Sequence, residues 1–475
     1  MTVSEGDVPG SVAPQKLAAQ VARQLENEIM DREWPIGEVL GSETELQARF
    51  KVSRSILREA IRLLEHQQVA RMRRGPGGGL VVSAPDTSLP IRALVIYLEY
   101  IGVSVEDLGR ARMLLEPLAA RLAAETVTES SIGALRAIVN EEHARIADSS
   151  IAAGKDFHAM LGQLSGNALL QMFTEVVTGL STRYLRTSRR IAEGAASEAR
   201  THVANRHAEI VEAVIAGDGA AAQTRVTTHL EEVVTWMLAQ KIHPTVERMR
   251  TRPVDPDPKS GDKLAEIVAG RIHNDITTED WQVGEILGSE SDLLTRYGVS
   301  RAVLRESLQI LEHHSVARMR RGPGGGLVIL APDPTANIRA MALYLNYRGL
   351  SPDDLFVVHE AIALECVHTL TAGELSSDTA SRLREALDLS TEQGDSGDLF
   401  HTEIAELAGN PILSLFLRIT TELRARNGLS EKARSAQGAS DVRDAHEKIL
   451  VAVLAGDGGL AQHRMRRHLQ DLATW

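Results

Sequence analysis

The thirteen residues VARMRRGPGGGLV occur unchanged at Val69–Val81 and again at Val316–Val328. Chance does not repeat thirteen residues, so the 475-residue chain is a fused duplication. The register drifts between copies. Ser53 matches Ser300, 247 residues on, His158 matches His401 after 243, and His207 matches His446 after 239. Two four-residue deletions in the second copy account for the drift. A period this long is a domain pair rather than a solenoid repeat, so whatever one copy folds into, the chain must fold twice.

Each copy opens with the same order of signals. In the first, Leu17, Val21, Leu25 and Ile29 recur every four residues, which predicts a helix. Ser42-Glu43-Thr44-Glu45 has capping-box spacing and starts a second helix. Ser53 caps a third, in which Leu57, Ala60, Ile61 and Leu64 share an apolar face and Arg54, Arg58 and Arg62 share another. Ala70–Arg74 and Leu80–Ser83 read as two strands around Gly75-Pro76-Gly77-Gly78-Gly79. Three helices and a hairpin make a winged helix-turn-helix. Residues 85–92, with two prolines, read as a linker. From there to about Lys241 only helical periodicity is present, with joints at Ser165-Gly166-Asn167 and Gly217-Asp218-Gly219. The expected fold class is therefore mainly α, with two winged helix-turn-helix domains, each followed by an all-α helical bundle. Expected boundaries are a disordered tail at 1–13, a head at 14–84, a bundle at 93–241, a linker at 242–261, a second head at 262–331 and a second bundle at 336–475.

Net charge is −12, which taken alone argues against nucleic acid. Its distribution argues the other way. Between Lys51 and Arg74 seven cations face two anions, and between Arg301 and Arg321 five face two. A helix presenting Ser53, Arg54, Ser55, Arg58 and Arg62 has donors where a major groove needs them, since arginine grips guanine with two hydrogen bonds. Arg74-Gly75 stands at the wing tip. The equivalents are Ser300, Arg301, Arg305 and Arg321-Gly322. Ala302 and Gln309 replace Ser55 and Arg62, so the second head carries less charge and its base preference should differ.

The histidines carry the second signal. His207 and His229 lie eleven residues either side of Asp218, and His446 and His468 eleven either side of Asp457. In a helical hairpin turning at the aspartate, each pair sits at equal height. His158 and His401 precede the other joint of each bundle. Three imidazoles meeting inside a bundle suit Zn²⁺ or a similar divalent ion with one open position. Asp398 lies on the same helical face as His401 and could join them. Arg112 and Arg183 are candidate cations for a carboxylate effector in the first bundle, whereas His359 stands at the position of Arg112 in the second.

Other classes find little support. A single cysteine, Cys366, rules out an intrachain disulfide. No secretory leader or membrane span is legible, so a cytoplasmic location is expected. GPGGG follows a basic strand and opens no helix, so it is a wing rather than a nucleotide loop. No nucleophile motif or paired carboxylate–histidine motif suggests an enzyme. The remaining alternative is a protein-interaction or ligand-binding scaffold whose winged domains, the second above all, no longer touch DNA.

The recognition stretch resembles the GntR family of bacterial transcription regulators, whose hallmark is a Ser-Arg-x-x-x-Arg-Glu-x-Leu helix and a glycine-rich wing. Here it reads Ser53-Arg54-Ser55-Ile56-Leu57-Arg58-Glu59-Ala60-Ile61 and Ser300-Arg301-Ala302-Val303-Leu304-Arg305-Glu306-Ser307-Leu308. Pro35-Ile36-Gly37-Glu38-Val39-Leu40 is similar to the family's preceding turn. The bundles resemble the FCD effector domain. The resemblance implies an effector-responsive regulator, expected to repress, that binds a pseudo-palindromic operator in double-stranded DNA and a small-molecule effector. A homodimer with four heads stays open beside a single chain with two. It also implies DNA contacts at the residues above and metal held by His158, His207 and His229, and by His401, His446 and His468. The family's aspartate, four residues before the first histidine, is replaced by Gly154 and Gly397.

Overall fold

A computed structural model describes residues 14–473, apart from 74, 76, 86–87, 148–155, 188–192, 241–263, 279–280, 314–315, 321, 323, 332, 393–397 and 427–435. The tail expected at 1–13 and the linker expected at 242–261 lie outside the described residues.

The first head comprises α1 (Pro14–Asp31), β1 (Val39–Gly41), α2 (Glu43–Phe50), α3 (Arg54–His66), β2 (Ala70–Arg73) and β3 (Gly79–Val82). The apolar residues of α1 and α3 face each other, with Leu25, Ile29, Leu57 and Leu64 fully buried. The expected hairpin forms with Arg71 opposite Val81. It gains a third strand that periodicity missed: β1 pairs with β3, so the order is β1-β3-β2. Three residues are too few to show alternation. Room for β1 comes from Gly79, where a Cβ would lie 2.6 Å from the Gly41 carbonyl oxygen and from Val39 Cγ1. The last glycine of the wing motif is thus required by strand packing.

The first bundle holds α4 (Ser88–Tyr100), α5 (Val105–Glu125), α6 (Glu129–Ala147), α7 (Phe157–Leu164), α8 (Ala168–Thr187), α9 (Glu193–Ile215) and α10 (Gly219–Ala239). Helix α4 begins at Ser88, inside the stretch expected to be a linker. Pro90 falls in its first turn, where a missing N–H costs nothing. The second head repeats the first as α11 (Leu264–Thr278), α12 (Glu290–Tyr297), α13 (Arg301–His313), β4 (Ala317–Arg320) and β5 (Gly326–Ile329), with Ile286 bridging to Val328 where β1 stands in the first. The second bundle holds α14 (Thr335–Tyr347), α15 (Pro352–Thr371), α16 (Ser377–Glu392), α17 (Asp398–Leu407), α18 (Pro411–Arg426), α19 (Ala436–Leu454) and α20 (Gly458–Ala473).

The chain divides into two compact units. One is Met1–Ser88 with Leu343–Gly349. Within it the last turns of α14 complete the core of the first head. Leu343 is fully buried in the same cluster as Leu25 and Leu57. The Trp34 indole N–H donates to Asn346 Oδ1 at 3.2 Å, and its ring meets Tyr347 edge-on at 5.3 Å.

The other unit, Leu89–Ala342 with Leu350–Trp475, contains both bundles. They meet in a self-complementary way. Asn167 caps α8 through its Oδ1 and donates from Nδ2 to the Asp354 carbonyl at 2.9 Å. Asn410, its counterpart, caps α18 and donates to the Asp107 carbonyl at 2.9 Å. Phe173 stacks on its own counterpart, Phe416, with centroids 3.9 Å apart. Equivalent residues meeting equivalent residues is the signature of a two-fold interface, here formed within one chain.

Candidate DNA-binding face and metal centres

Helix α3 is divided sharply. Leu57, Ala60 and Leu64 are fully buried, while the side chains of Arg54, Arg58 and Arg62 are 64%, 55% and 67% exposed. The Ser53 hydroxyl accepts from the Ile56 N–H at 3.3 Å and so caps the helix, and it lies 2.9 Å from the Ser55 hydroxyl. Ser300 caps α13 in the same way, accepting from Val303 at 3.4 Å. Arg301 and Arg305 are exposed on that helix. At the wing tips Gly75 and Gly322 are exposed with φ near +100° (100° and 103°), a conformation that favours glycine. Arg74 and Arg321 lie outside the described residues. Arg73 and Arg320 brace their wings by donating to the Gly77 and Gly324 carbonyls, at 2.9 and 3.1 Å.

One residue beside the exposed arginines of α3 was not singled out by sequence. Glu43, at the start of α2, receives the Nε–H of both Arg54 (3.0 Å) and Arg58 (2.7 Å). Those hydrogen bonds hold its carboxyl down to about 2. The second head keeps one such pair, Arg305 with Glu290 at 3.2 Å. Each guanidinium retains further N–H groups, so the carboxylate orients the arginines without exhausting them.

In each bundle the three singled-out histidines come together in the interior. His401, His446 and His468 turn their Nε2 atoms to one another, at 3.0–3.2 Å on all three edges. In the first bundle His158 Nε2 and His229 Nε2 are 3.3 Å apart, and the ligand atoms of His158, His207 and His229 all lie within 4.8 Å. All six rings are buried. Burial is the main reason that His401 and His446 are held well below the ordinary histidine range and His468 down to about 3. It also lowers His207 and His229. Three neutral imidazoles facing inward cannot satisfy one another fully, because a single N–H serves one lone pair. An unsatisfied buried nitrogen costs about 1–3 kcal/mol. A divalent ion would use all three lone pairs. Nitrogens about 2.0–2.1 Å from a tetrahedral ion stand about 3.3 Å apart, close to the edges found. The donor set therefore fits such an ion. Asp398 opens α17, but its side chain lies outside the described residues.

The backing of the two triads differs. In the first, His207 Nδ1 pairs with Glu142 at 2.8 Å, and His158 Nδ1 lies 2.7 Å from Glu116, in ion-pair range though not aligned as a hydrogen bond. Arg112 holds Glu116 with two bonds, 2.6 and 3.2 Å, in full burial. Burial alone would raise the Glu116 carboxyl, but the Arg112 charge and His158 outweigh it and hold it at about 2. Arg112 thus reaches the histidine cluster through Glu116, while Arg183 pairs with Glu99 of α4 at 2.5 Å. In the second bundle Arg424 donates to His359 Nε2 at 3.1 Å, so His359 carries its proton on Nδ1 and gives it to Thr420 at 2.8 Å. Sequence spacing found the histidines. It missed Glu116, Glu142 and Arg424, which are supplied from other helices, although Glu116 four residues after Arg112 was a visible i,i+4 pair.

A winged helix-turn-helix joined to an all-helical bundle with a buried polar centre defines a bacterial transcription regulator with an effector domain. The model of the bacterial regulatory proteins, gntR family, matches residues 17–80 and 264–326, and that of the FCD domain matches 107–232 and 354–471. The chain belongs to the GntR family, with head and FCD effector domain both present twice. It is similar to the HTH-type transcriptional regulator LutR of Bacillus subtilis (30% identity, 42% of this chain and 90% of that one). It is also similar to the HTH-type transcriptional repressor NanR of Cronobacter sakazakii (27% identity, 48% and 89%). A solved Streptococcus agalactiae GntR structure aligns at 23% identity with a TM-score of 0.34, over 46% of this chain and 99% of that one. Regulators of this family bind DNA and small-molecule effectors. Among the described residues no helix is long and apolar enough to cross a membrane.

Proposed function

We propose that one chain performs the work of a regulator dimer: it binds a pseudo-palindromic operator with its two covalently linked heads and represses until an effector reaches the bundles. The observation that carries this reading is the pair of reciprocal asparagine bonds, Asn167 to Asp354 and Asn410 to Asp107, with Phe173 on Phe416 between them. Such an interface leaves each bundle already provided with its partner. The contacts to DNA are Ser53, Arg54, Ser55, Arg58, Arg62 and Arg74-Gly75 in the first head, and Ser300, Arg301, Arg305 and Arg321-Gly322 in the second. Linkage gives the second head a local concentration of about 1 mM once the first is bound. Because Ser55 and Arg62 are Ala302 and Gln309 in the second head, the two half-sites are unequal in sequence.

His158, His207 and His229, and His401, His446 and His468, would hold Zn²⁺ or a similar ion, which would supply a Lewis-acid centre attractive to an effector carboxylate. An effector bound there shifts the bundles toward a state in which the heads no longer reach both half-sites, and its differential affinity for that state sets the loss of DNA affinity. Selection of bound sequences from a random DNA pool, with and without chelator, tests this. The expected product is two related but unequal half-sites at fixed spacing. A single half-site, or no enrichment, would refute the two-headed reading.

A further inference from the structure

The two metal centres are written in different chemistry. The first triad is backed by carboxylates, Glu142 on His207 and Glu116 behind His158. Helices α5 and α15 align through their Ser104 and Ser351 caps, which puts Ala363 at the place of Glu116. Helices α6 and α16 align one residue beyond the 247 register, through the buried Leu135, Ile138 and Val139 with Leu383, Ala386 and Leu387, which puts Ser390 at the place of Glu142. Both carboxylates are therefore gone from the second copy. Among the described residues, Nδ1 of His401 and of His446 has no hydrogen-bond partner, as is also true of His158 and His229 in the first bundle, but neither has a carboxylate in ion-pair range as His158 does. In the position of Arg112 stands His359, which ties Arg424 to the rim of the triad.

Two physical consequences follow. Carboxylates behind ligating histidines fix the tautomer and raise basicity, and loss of one such partner costs about 10–100-fold in metal affinity. A dication in a buried site also needs counter-charge. In the first bundle Glu116 and Glu142 provide it, against Arg112. In the second, no carboxylate of the described residues is among the partners of the three histidines.

Building on the metal reading above, we propose that the centres are unequal. The first bundle holds a divalent ion constitutively. The second holds one weakly and exchangeably, and is completed by a small anion at the fourth coordination position beside His359 and Arg424. The second bundle is therefore the sensing half of the chain, and the first is a fixed counterpart that keeps the shared interface in shape.

Titration of the metal-stripped full chain with Co²⁺, followed by its visible absorption, tests this directly. Two ions per chain are expected, the second binding at least about 100-fold more weakly. His207→Ala should remove the tight phase and His446→Ala the weak one. Acetate and inorganic phosphate, added separately, should tighten only the weak phase, by about 10-fold or more for whichever anion fits, and Arg424→Gln should remove that gain. Glu142→Gln should loosen the tight phase about 10–100-fold. The double variant Arg112→His with Glu116→Ala writes the second copy's pair into the first without leaving a lone buried charge, and should do the same. Circular dichroism at pH 7.5 establishes that each variant is folded before titration. Two phases of equal affinity, or a weak phase indifferent to both anions, would overturn the inequality while leaving the metal reading intact. No binding by the unaltered chain would overturn the metal reading itself. Asp398→Asn is the remaining control: loss of the whole weak phase with that change would show that the chain's own carboxylate completes the second centre, against the proposal.

Discussion

Acidifying the metal-stripped protein from about pH 7.5 to about pH 5.5 should weaken the second bundle by several kcal/mol. Burial, with Arg424 adding to it, keeps His359, His401 and His446 well below the usual histidine range and His468 at about 3. In the unfolded chain the same four rings take up protons near the ordinary value of about 6.5. Their folded values are depressed, so the unfolded state binds more protons throughout this window, and stability must fall as pH falls. Each ring protonated only on unfolding costs about 1.4 kcal/mol over those two units. Four independent rings give an upper limit of about 5–6 kcal/mol, a large part of the stability of an ordinary domain. His207 and His229 push the first bundle the same way. Urea unfolding followed by circular dichroism gives the overall change. Hydrogen exchange of α15, α18, α19 and α20 localises it. Saturating Zn²⁺ at about pH 7.5 should protect the same helices. An unfolding midpoint that stays constant or rises on acidification would refute the claim that these rings are held neutral by burial.

Leu343→Ala should destabilise the first head by about 3–5 kcal/mol, because Leu343 is fully buried in that head's core although it belongs to α14; exchange of α1 and α3 in the full chain reports it, and loss confined to α15–α20 would contradict the assignment. Glu43→Gln releases Arg54 and Arg58 and removes a carboxylate from the DNA side, so affinity for random DNA should rise, with a slope in log salt at least as steep; unchanged binding would mean that the pair does not face DNA. Gly79→Ala forces a Cβ to 2.6 Å from the Gly41 carbonyl oxygen at a φ of 147°, and should cost at least about 1–3 kcal/mol in the first head; a neutral effect on its thermal midpoint would argue against close β1–β3 pairing. Asn410→Ala removes both the α18 cap and the bond to Asp107, and should cost about 1–2 kcal/mol in chemical unfolding of the bundles, more than the cap alone.

How much of this was legible follows from what each residue needs. The recognition helix was, because Ser53, Leu57, Leu64 and the three arginines declare cap, core face and outer face within thirteen residues. The meeting of His207 with His229 was, because a hairpin turn at Asp218 fixes their heights along two adjacent helices. Strand β1 was not, because three residues carry no period and its place depends on Gly79, forty residues on in the fold's sheet. The start of α4 at Ser88 was obscured by Pro85 before it and by Pro90, which a first helical turn tolerates. Glu142 and Arg424 escaped notice because each reaches its histidine from another helix, and only packing decides which of many exposed-looking charges turns inward. Leu343 gave no sign that it serves the other copy's head.

The most direct measurement of the central claim is the mass of the operator complex, taken with its footprint. A dilute full chain mixed with excess pseudo-palindromic DNA should form a complex of one chain, 51.6 kDa, per duplex. Both half-sites should be protected at the same protein concentration. Two chains per duplex, or protection of one half-site at saturation, would contradict the account.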